Sequence, residues 1–167
     1  GKPVRQYEPF FDDTHQFKFG NMVGVSPILF YDPVGRVIAT LHPNDTYEKV
    51  VFDPWQQTTY DVNDTVAAQD GETGDPRTDP DISGYVAEYF QTKPNTWQTW
   101  YQARIGGSDQ REKAAAEKAK QHANTPTVAY FDTLGRAFLT IADNGTLGKY
   151  ETRVELDIEG NQRAVID

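Results

Sequence analysis

Histidine and serine are the residues of this sequence that could supply a general base and a nucleophile for hydrolysis. The three histidines, His15, His42 and His122, lie in no HExxH or comparable metal-binding spacing. Serine occurs only at positions 26, 83 and 108, and none of these lies in a GxSxG nucleophile elbow. The spacing alone leaves a Ser-His-Asp triad open, but no motif points to one. We therefore expect no enzymatic activity and name no catalytic residue.

Carboxylates are abundant, with 25 Asp and Glu residues against 16 Lys and Arg. Two of them could form the acid pair of a glycosidase, and the acidic loop at residues 70–81 offers the oxygen ligands that Ca²⁺ prefers. The loop does not follow the EF-hand spacing, however. We favour a solvated loop and leave Ca²⁺ binding open, and we assign no metal ligand and no cofactor.

Arg36 and Arg136 could bind a ligand, and Trp97 and Trp100 could stack on sugar rings. Each arginine follows a glycine at the same place in two similar stretches. That repetition favours a structural role, in which the guanidinium lies along a hairpin and bonds a neighbouring carboxylate or carbonyl. For the two tryptophans, the favoured role is to pack a helical segment onto a sheet.

The two similar stretches, FYDPVGRVIAT at 30–40 and YFDTLGRAFLT at 130–140, have the chemistry of β-hairpin turns. Asp favours the first position of a type I turn, and Gly takes the left-handed conformation that closes a hairpin with a bulge. DIEG at 157–160 repeats the pattern, whereas DPW at 53–55 lacks the glycine. The sequence therefore predicts a structural turn motif at Asp32, Gly35, Arg36, Asp132, Gly135, Arg136, Asp157 and Gly160.

Short strands with a period of two connect these turns. In 149–157, Tyr150, Thr152, Val154 and Leu156 face one side and are predicted to be buried, whereas the charged residues between them face solvent. Further strands are predicted at 27–31, 36–41, 46–53 and 56–62, and an N-terminal strand around 3–11. Repeated hairpin units of this kind stack so that each buries its face on the next.

The composition changes between the two groups of strands. Residues 69–81 are rich in Asp, Gly and Pro and are predicted to form a loop. Helices are predicted at 83–91, 95–106 and 110–123, the last opened by a capping box of Asp109 and Glu112. We treat 1–167 as one segment with a first β block (1–68), an acidic loop plus helical insertion (69–125) and a second β block (126–167). The predicted fold class is mainly β: antiparallel hairpin repeats forming a curved sheet, with an α-helical insertion between two β blocks, α+β overall.

The bulk composition excludes several classes of protein. The net charge of -9 disfavours a nucleic-acid binder, which concentrates Lys and Arg on one face. No apolar run is long enough to cross a bilayer, and the absence of cysteine excludes disulfides and thiolate metal sites. The chain starts at Gly1 without a signal peptide and ends within a predicted strand, so we expect a segment of a longer protein.

The order aromatic residue, Asp, two residues, Gly-Arg and an apolar strand resembles the YD repeat of the RHS family. FYDPVGR at 30–36 and YFDTLGR at 130–136 carry this motif. The wider sequence at 37–65 and 122–165 is similar to stretches of large bacterial insecticidal toxin-complex proteins and SpvB-like RHS proteins. The resemblance covers most of residues 25–167. The third turn departs from the motif at Asn161, where the repeat has Arg, and the turn at Asp53 lacks Gly.

The resemblance implies a large β shell, built from RHS hairpins, that encloses a toxic C-terminal polypeptide. It implies as partners the rest of the parent shell, the toxin cargo and a translocation channel, and it implies a secreted or cell-surface location. The family's autoproteolytic site has no match in this sequence. The function expected from the resemblance is therefore a structural RHS-repeat segment without catalysis.

A carbohydrate-binding or cell-surface adhesion module of a YD-repeat protein is the alternative function. It would use Trp55, Trp97, Trp100 and exposed tyrosines as stacking platforms. Aromatic side chains on an open face would favour this alternative, and aromatic side chains buried under the insertion would oppose it.

Overall fold

The structure, a computed structural model, describes residues 1–5, 7, 11–19 and 25–167. Its framework is one open antiparallel sheet whose spatial order follows the order of the chain. Every strand pairs with the next one in sequence, so the sheet is a continuous meander. The strands are β1 (Ile28–Tyr31), β2 (Val37–Leu41), β3 (Tyr47–Phe52), β4 (Gln56–Tyr60), β5 (Thr127–Phe131), β6 (Ala137–Asp143), β7 (Lys149–Leu156) and β8 (Gln162–Ile166).

Three helices lie between β4 and β5: α1 (Ser83–Gln91), α2 (Trp100–Gly106) and α3 (Gln110–Lys120). A single 3-10 turn, Gly145–Leu147, connects β6 to β7. The predicted mainly β, antiparallel fold with helices between two groups of strands is thus confirmed. None of the helices in the described part of the chain combines the length and apolar character needed to span a bilayer.

Helix α1 and the residue before it attach the insertion to the first strands. Ile82 and Val86, one helical turn apart, are each 1% exposed and pack on Leu41 of β2 and Tyr47 of β3. Burying an aliphatic side chain of this size contributes about 1.5–3 kcal/mol. A second apolar cluster packs the segment after β4 against α2, α3 and the residues that follow α3. Its members are Val66, Ala67, Trp100, Tyr101, Ala119 and Ala123.

The N-terminal residues extend the sheet beyond β1. The Leu29 N–H donates to the Val4 carbonyl at 2.9 Å, and Arg5 bridges to Ile28. Of the predicted strand around 3–11, the described residues form only this isolated bridge, and residues 6 and 8–10 lie outside the described residues.

The start of α2 and the cap of α3 differ from the sequence-based prediction. Helix α2 starts at Trp100, since the Thr99 hydroxyl accepts the Gln102 N–H at 3.2 Å and the Gln102 side chain accepts the Thr99 N–H at 3.2 Å. Trp97 thus precedes the helix instead of lying on it. At α3 the Asp109 carboxylate accepts the Arg111 N–H at 2.7 Å, and the predicted capping box is not formed.

The predicted alternation of β7 is observed from Thr152 to Leu156, but the inner face is less buried than predicted. Tyr150 is 60% exposed, and Thr152, Val154 and Leu156 are only half-buried. The insertion covers the first strands instead, and no described element packs on this part of β7.

Candidate functional site

The meander places the turns after β1, β3, β5 and β7 at the same end of the sheet. We call this end the turn rim; it comprises residues 32–35, 53–55, 132–135 and 157–160. In the first turn, the Asp32 carboxylate accepts the Arg36 N–H at 2.8 Å and the Arg36 Nε at 2.7 Å. Gly35 has φ +84°, a left-handed conformation that glycine adopts without strain.

The turn after β5 repeats this arrangement. The Asp132 carboxylate accepts the N–H groups of Leu134 at 2.9 Å and Arg136 at 3.0 Å, and the Arg136 Nε at 2.7 Å. Gly135 has φ +74°. These bonds, led by the Arg136 N–H, lower the pKa of Asp132 below its ordinary value.

The turn after β7 uses an asparagine in the place of the arginine. Asp157 accepts the N–H groups of Glu159 at 3.0 Å and Asn161 at 2.8 Å, and the Asn161 side-chain amide at 3.1 Å. Gly160 has φ +91°. The departure from the repeat motif at Asn161 therefore keeps the hydrogen bonds of the turn.

Each arginine also contacts the next hairpin on the rim. The Arg36 guanidinium lies 4.1 Å from the centre of the Phe52 ring, immediately before the turn at Asp53. The Arg136 Nη1 lies 3.0 Å from the position a Cβ on Gly160 would take. The two arginines thus join neighbouring turns while bonding their own aspartates.

A buried ion cluster lies where the acidic loop meets the sheet. We call it the Lys49 cluster; it comprises Lys49, Glu72, Asp79 and Asp81. The Lys49 Nζ donates to Glu72 at 2.8 Å, Asp79 at 3.1 Å and Asp81 at 2.8 Å. The side chains of Lys49, Glu72 and Asp79 are 2%, 4% and 0% exposed.

Aromatic groups complete the surroundings of the ammonium. Lys49 Nζ lies 4.5 Å from the centre of the Tyr60 ring, and the Tyr47 hydroxyl donates to Asp79 at 3.0 Å. Burial alone would lower the pKa of Lys49, but its three carboxylate partners raise it above its ordinary value, so the ammonium stays charged. Burial raises the pKa of Glu72 in spite of the Lys49 ammonium. Burial, followed by the charge of Asp79, raises the pKa of Tyr47.

The acidic loop therefore binds an ammonium group of its own chain. The favoured prediction of a solvated loop is wrong, because Glu72, Asp75 and Asp79 are buried. In the described part of the chain, no group of three or more acidic or histidine side chains is arranged to hold a metal ion. Three of the loop's carboxylates, Glu72, Asp79 and Asp81, converge on Lys49, and a fourth, Asp75, bonds Arg77.

His42 and Ser26 line one cavity of about 220 Å³ together with Asp45, but the buried Ser26 Oγ has no hydrogen-bond partner among the described residues. His42 Nε2 lies 2.7 Å from Glu48 Oε1 at the edge of the turn between β2 and β3. His122 lines an open, polar cavity of about 460 Å³ whose lining contains none of the three serines. In the same cavity Asp64 is bonded to Thr125 Oγ at 2.8 Å, and burial raises the pKa of its carboxyl.

Two of the three tryptophans attach the insertion to the first β block: Trp97 to the turn between β2 and β3, and Trp100 to the apolar cluster around Val66. The Trp97 Nε1 donates to Asp45 at 2.9 Å, and the Arg104 guanidinium lies 4.2 Å from the Trp100 ring. Trp55 differs, because it lies at a turn and is 57% exposed. The three tryptophans predicted as sugar platforms therefore do not form one exposed surface.

Sequence reasoning missed the role of Lys49. A signal was present in TYEKVVFD, where the period of two places this lysine on the same face as Tyr47 and Val51. A lysine on a buried face requires a carboxylate partner, and the acidic loop was the richest source of carboxylates.

No family model and no curated relative matches this sequence. Three solved structures contain a segment with the same fold. A mutant Tc holotoxin pore of Photorhabdus luminescens is 22% identical with a TM-score of 0.59 over 100% of this chain and 6% of its own. The TcdB2-TccC3-TEV crystal structure is 20% identical with a TM-score of 0.57 over 100% of this chain and 6% of its own. The crystal structure of TcdB2-TccC3 without its hypervariable C-terminal region is 23% identical with a TM-score of 0.50, covering 86% of this chain and 5% of its own.

These likenesses establish the fold. They confirm, at the level of the fold, the resemblance to toxin-complex proteins that the repeated turns indicated. The chain spans about a twentieth of the length of these relatives.

Proposed function

We propose that this chain is a structural, non-enzymatic RHS-repeat segment of a large bacterial toxin-related protein, in which it forms part of a β shell around a C-terminal toxic polypeptide. The observation that carries the proposal is the match in fold between the whole chain and a small part of Tc toxin chains. If this chain is one segment of a larger wall, it should match such a relative over its whole length while covering only about a twentieth of the relative.

The architecture of the sheet supports a wall. The strands form one uninterrupted meander, and the outer edge of β8 has no partner strand among the described residues. An unpaired edge accepts a further strand through its free backbone groups. The sheet can therefore be continued by the next hairpin of the same repeat.

The Lys49 cluster supports a structural role for the insertion. Lys49, Glu72 and Asp79 are enclosed between β3 and the acidic loop, and only Asp81, at 38% exposure, reaches the surface. Together with the apolar contacts of Ile82 and Val86, it fixes the insertion against one side of the sheet. A wall that confines a polypeptide needs such rigidity.

Partners and location follow from the same proposal. The relatives are chains of Tc toxin assemblies, so we expect this segment to contact the rest of its parent shell, the enclosed cargo and other toxin-complex components. Secretion or exposure at the cell surface belongs to the same proposal.

The carbohydrate-binding alternative has less support. Burial of the aromatic side chains under the insertion was the feature that would oppose it, and Trp97 and Trp100 are both half-buried where the insertion meets the first β block. Exposed rings are found at Trp55, Tyr85 and Tyr150, but they lie on a turn, on α1 and on β7, and separate single rings are weak platforms for a sugar.

Limited proteolysis of the full-length protein tests the proposal, with Gly35→Val and Gly135→Val introduced together. Both glycines have positive φ in the turn rim, so valine strains the turns. Gly71→Val is a matched control, because Gly71 has φ +100°, has no neighbour near its Cβ position, and lies in the acidic loop outside the turn rim.

We expect the C-terminal polypeptide to become protease-sensitive in the double variant and to stay protected in the control. A C-terminal polypeptide that is equally sensitive in the wild type and in both variants would contradict the shell. Loss of glycan binding with unchanged protection would replace the shell with the carbohydrate-binding alternative.

A further inference from the structure

The two faces of the sheet differ in what covers them. Helix α1 packs on the face that carries Leu41 and Tyr47, and we call this the covered face. Residues paired between neighbouring strands lie on the same face, so the register follows each face from β2 to β8. We call the opposite face, which carries Thr40 in β2 and Val165 in β8, the open face.

The charge of β7 is confined to one of these faces. Its charged side chains all lie on the covered face, and they are Lys149, Glu151, Arg153 and Glu155. Among the paired residues of β4 to β8, the open face carries no charged side chain; threonine, alanine, glutamine, aliphatic and aromatic residues form it. Nearer to β1, the charged residue of this face is Glu48, which pairs with Thr40 and lies 2.7 Å from His42.

The open face is accessible in the second β block. Tyr150 is 60% exposed and Val165 is 50% exposed, and Thr152 and Val154 are half-buried. The solvated face of an antiparallel sheet is ordinarily the polar one, whereas β7 exposes an uncharged face. Scattered apolar residues on a surface are ordinary. An uncharged face that continues over several strands, in a chain with 25% charged residues, is instead typical of a contact surface.

We propose that the open face is turned toward the inside of the shell and contacts the enclosed C-terminal polypeptide, while the covered face and α1 lie outside. This inference rests on the proposed function. A wall around a polypeptide has one face toward that polypeptide and one face toward bulk water, so only two orientations exist. The charged side chains of β7 favour water over an enclosed space, and this selects the open face as the inner one.

The chemistry of the open face suits an unfolded polypeptide. Such a chain exposes apolar side chains together with backbone N–H and C=O groups that need partners. Tyr150, Val154 and Val165 offer apolar contact, and Thr127 and Thr140 offer hydroxyls that can both donate and accept. Because the face of β4 to β8 lacks fixed charges, it repels neither acidic nor basic segments. Its contacts therefore do not require a particular cargo sequence.

Site-specific photo-cross-linking in the full-length protein tests the orientation. The photoreactive residue p-benzoylphenylalanine replaces Val165 in one variant and Ile166 in the other. These neighbours in β8 are matched, because both are aliphatic and 50% and 48% exposed, while their partners Val154 and Arg153 place them on opposite faces. We expect mass spectrometry to find cross-links to peptides of the C-terminal polypeptide from position 165 and none from position 166.

A second pair of variants is independent of the photoreactive group. In Val165→Cys the thiol should be protected from a polyethylene-glycol maleimide in the full-length protein, and in Ile166→Cys it should react; unfolding in urea should make both react equally. Limited proteolysis of the same preparations reports whether the C-terminal polypeptide is enclosed.

The outcomes separate this inference from the proposed function. Cross-links from position 166, equal cross-links from both positions, or a protected thiol only in Ile166→Cys would overturn the orientation, while a protease-resistant C-terminal polypeptide would leave the shell in place. Cross-links from neither position would also overturn the orientation. If the C-terminal polypeptide were then protease-sensitive in the wild type as well, the proposed function would fail with it.

Discussion

Lys49→Met removes the charge that three carboxylates surround while retaining most of the side chain's length. Glu72 and Asp79 are then left enclosed without their cation, at 4% and 0% exposure. Removing one partner of a buried ion pair costs about 3–5 kcal/mol, so we expect the free energy of unfolding to fall by that amount. With a slope of about 2 kcal/mol per molar urea, the midpoint of unfolding falls by about 1.5–2.5 M.

Urea unfolding followed by circular dichroism measures the loss, and two further variants identify its cause. Lys149→Met removes a lysine whose side chain is 68% exposed in an ion pair with Asp143, and exposed pairs contribute about 0–1 kcal/mol. Adding Glu72→Gln and Asp79→Asn to Lys49→Met removes the stranded charges and should restore at least half of the loss. If Lys49→Met cost no more than Lys149→Met, or if the added substitutions restored nothing, the electrostatic explanation of the cluster would be refuted.

Three further predictions concern the turns and the response to pH. Gly135→Ala should lower the free energy of unfolding by about 1–2 kcal/mol because Gly135 has a positive φ. The control Gly106→Ala, in α2, should stay within about 0.5 kcal/mol of the wild type. Equal melting temperatures for the two variants would contradict this prediction. Arg36→Lys should lower the free energy of unfolding by about 0.5 kcal/mol, because the guanidinium no longer stacks on the Phe52 ring. An unchanged melting temperature would contradict this. Because the pKa of Glu72 is raised in the fold, its contribution to stability should grow as pH falls toward its ordinary value of 4.5. Because the pKa of Asp132 is lowered in the fold, its contribution to stability should be lost as the pH falls below 3.8, the ordinary pKa of an aspartate. A stability curve from pH 7 to pH 3 that fell throughout would contradict the assignment for Glu72.

The sequence predicted the hairpins because their chemistry is local. An aspartate, a glycine at the fourth position and alternating strands determine a turn within a few residues, so Asp32, Gly35 and their repeats could be recognised without a structure. The prediction began the second helix at residue 95 from the spacing of its aromatic residues, whereas the Thr99 cap starts it at Trp100.

Contacts between distant segments were harder to predict. The Lys49 cluster joins β3 to a loop more than twenty residues away; the alternation in TYEKVVFD places Lys49 on a buried face but does not show which carboxylates it will meet. The exposure of Tyr150 has the same origin, because the period of two gives the two faces of β7 but does not show which of them another element covers.

A density map of the full-length protein, obtained by cryo-electron microscopy, would test the shell most directly. We predict that the β8 edge is paired with a further strand and that the sheet encloses density for a C-terminal polypeptide on one side. A map in which both faces of the sheet contact solvent and the C-terminal polypeptide lies outside would contradict the proposed function.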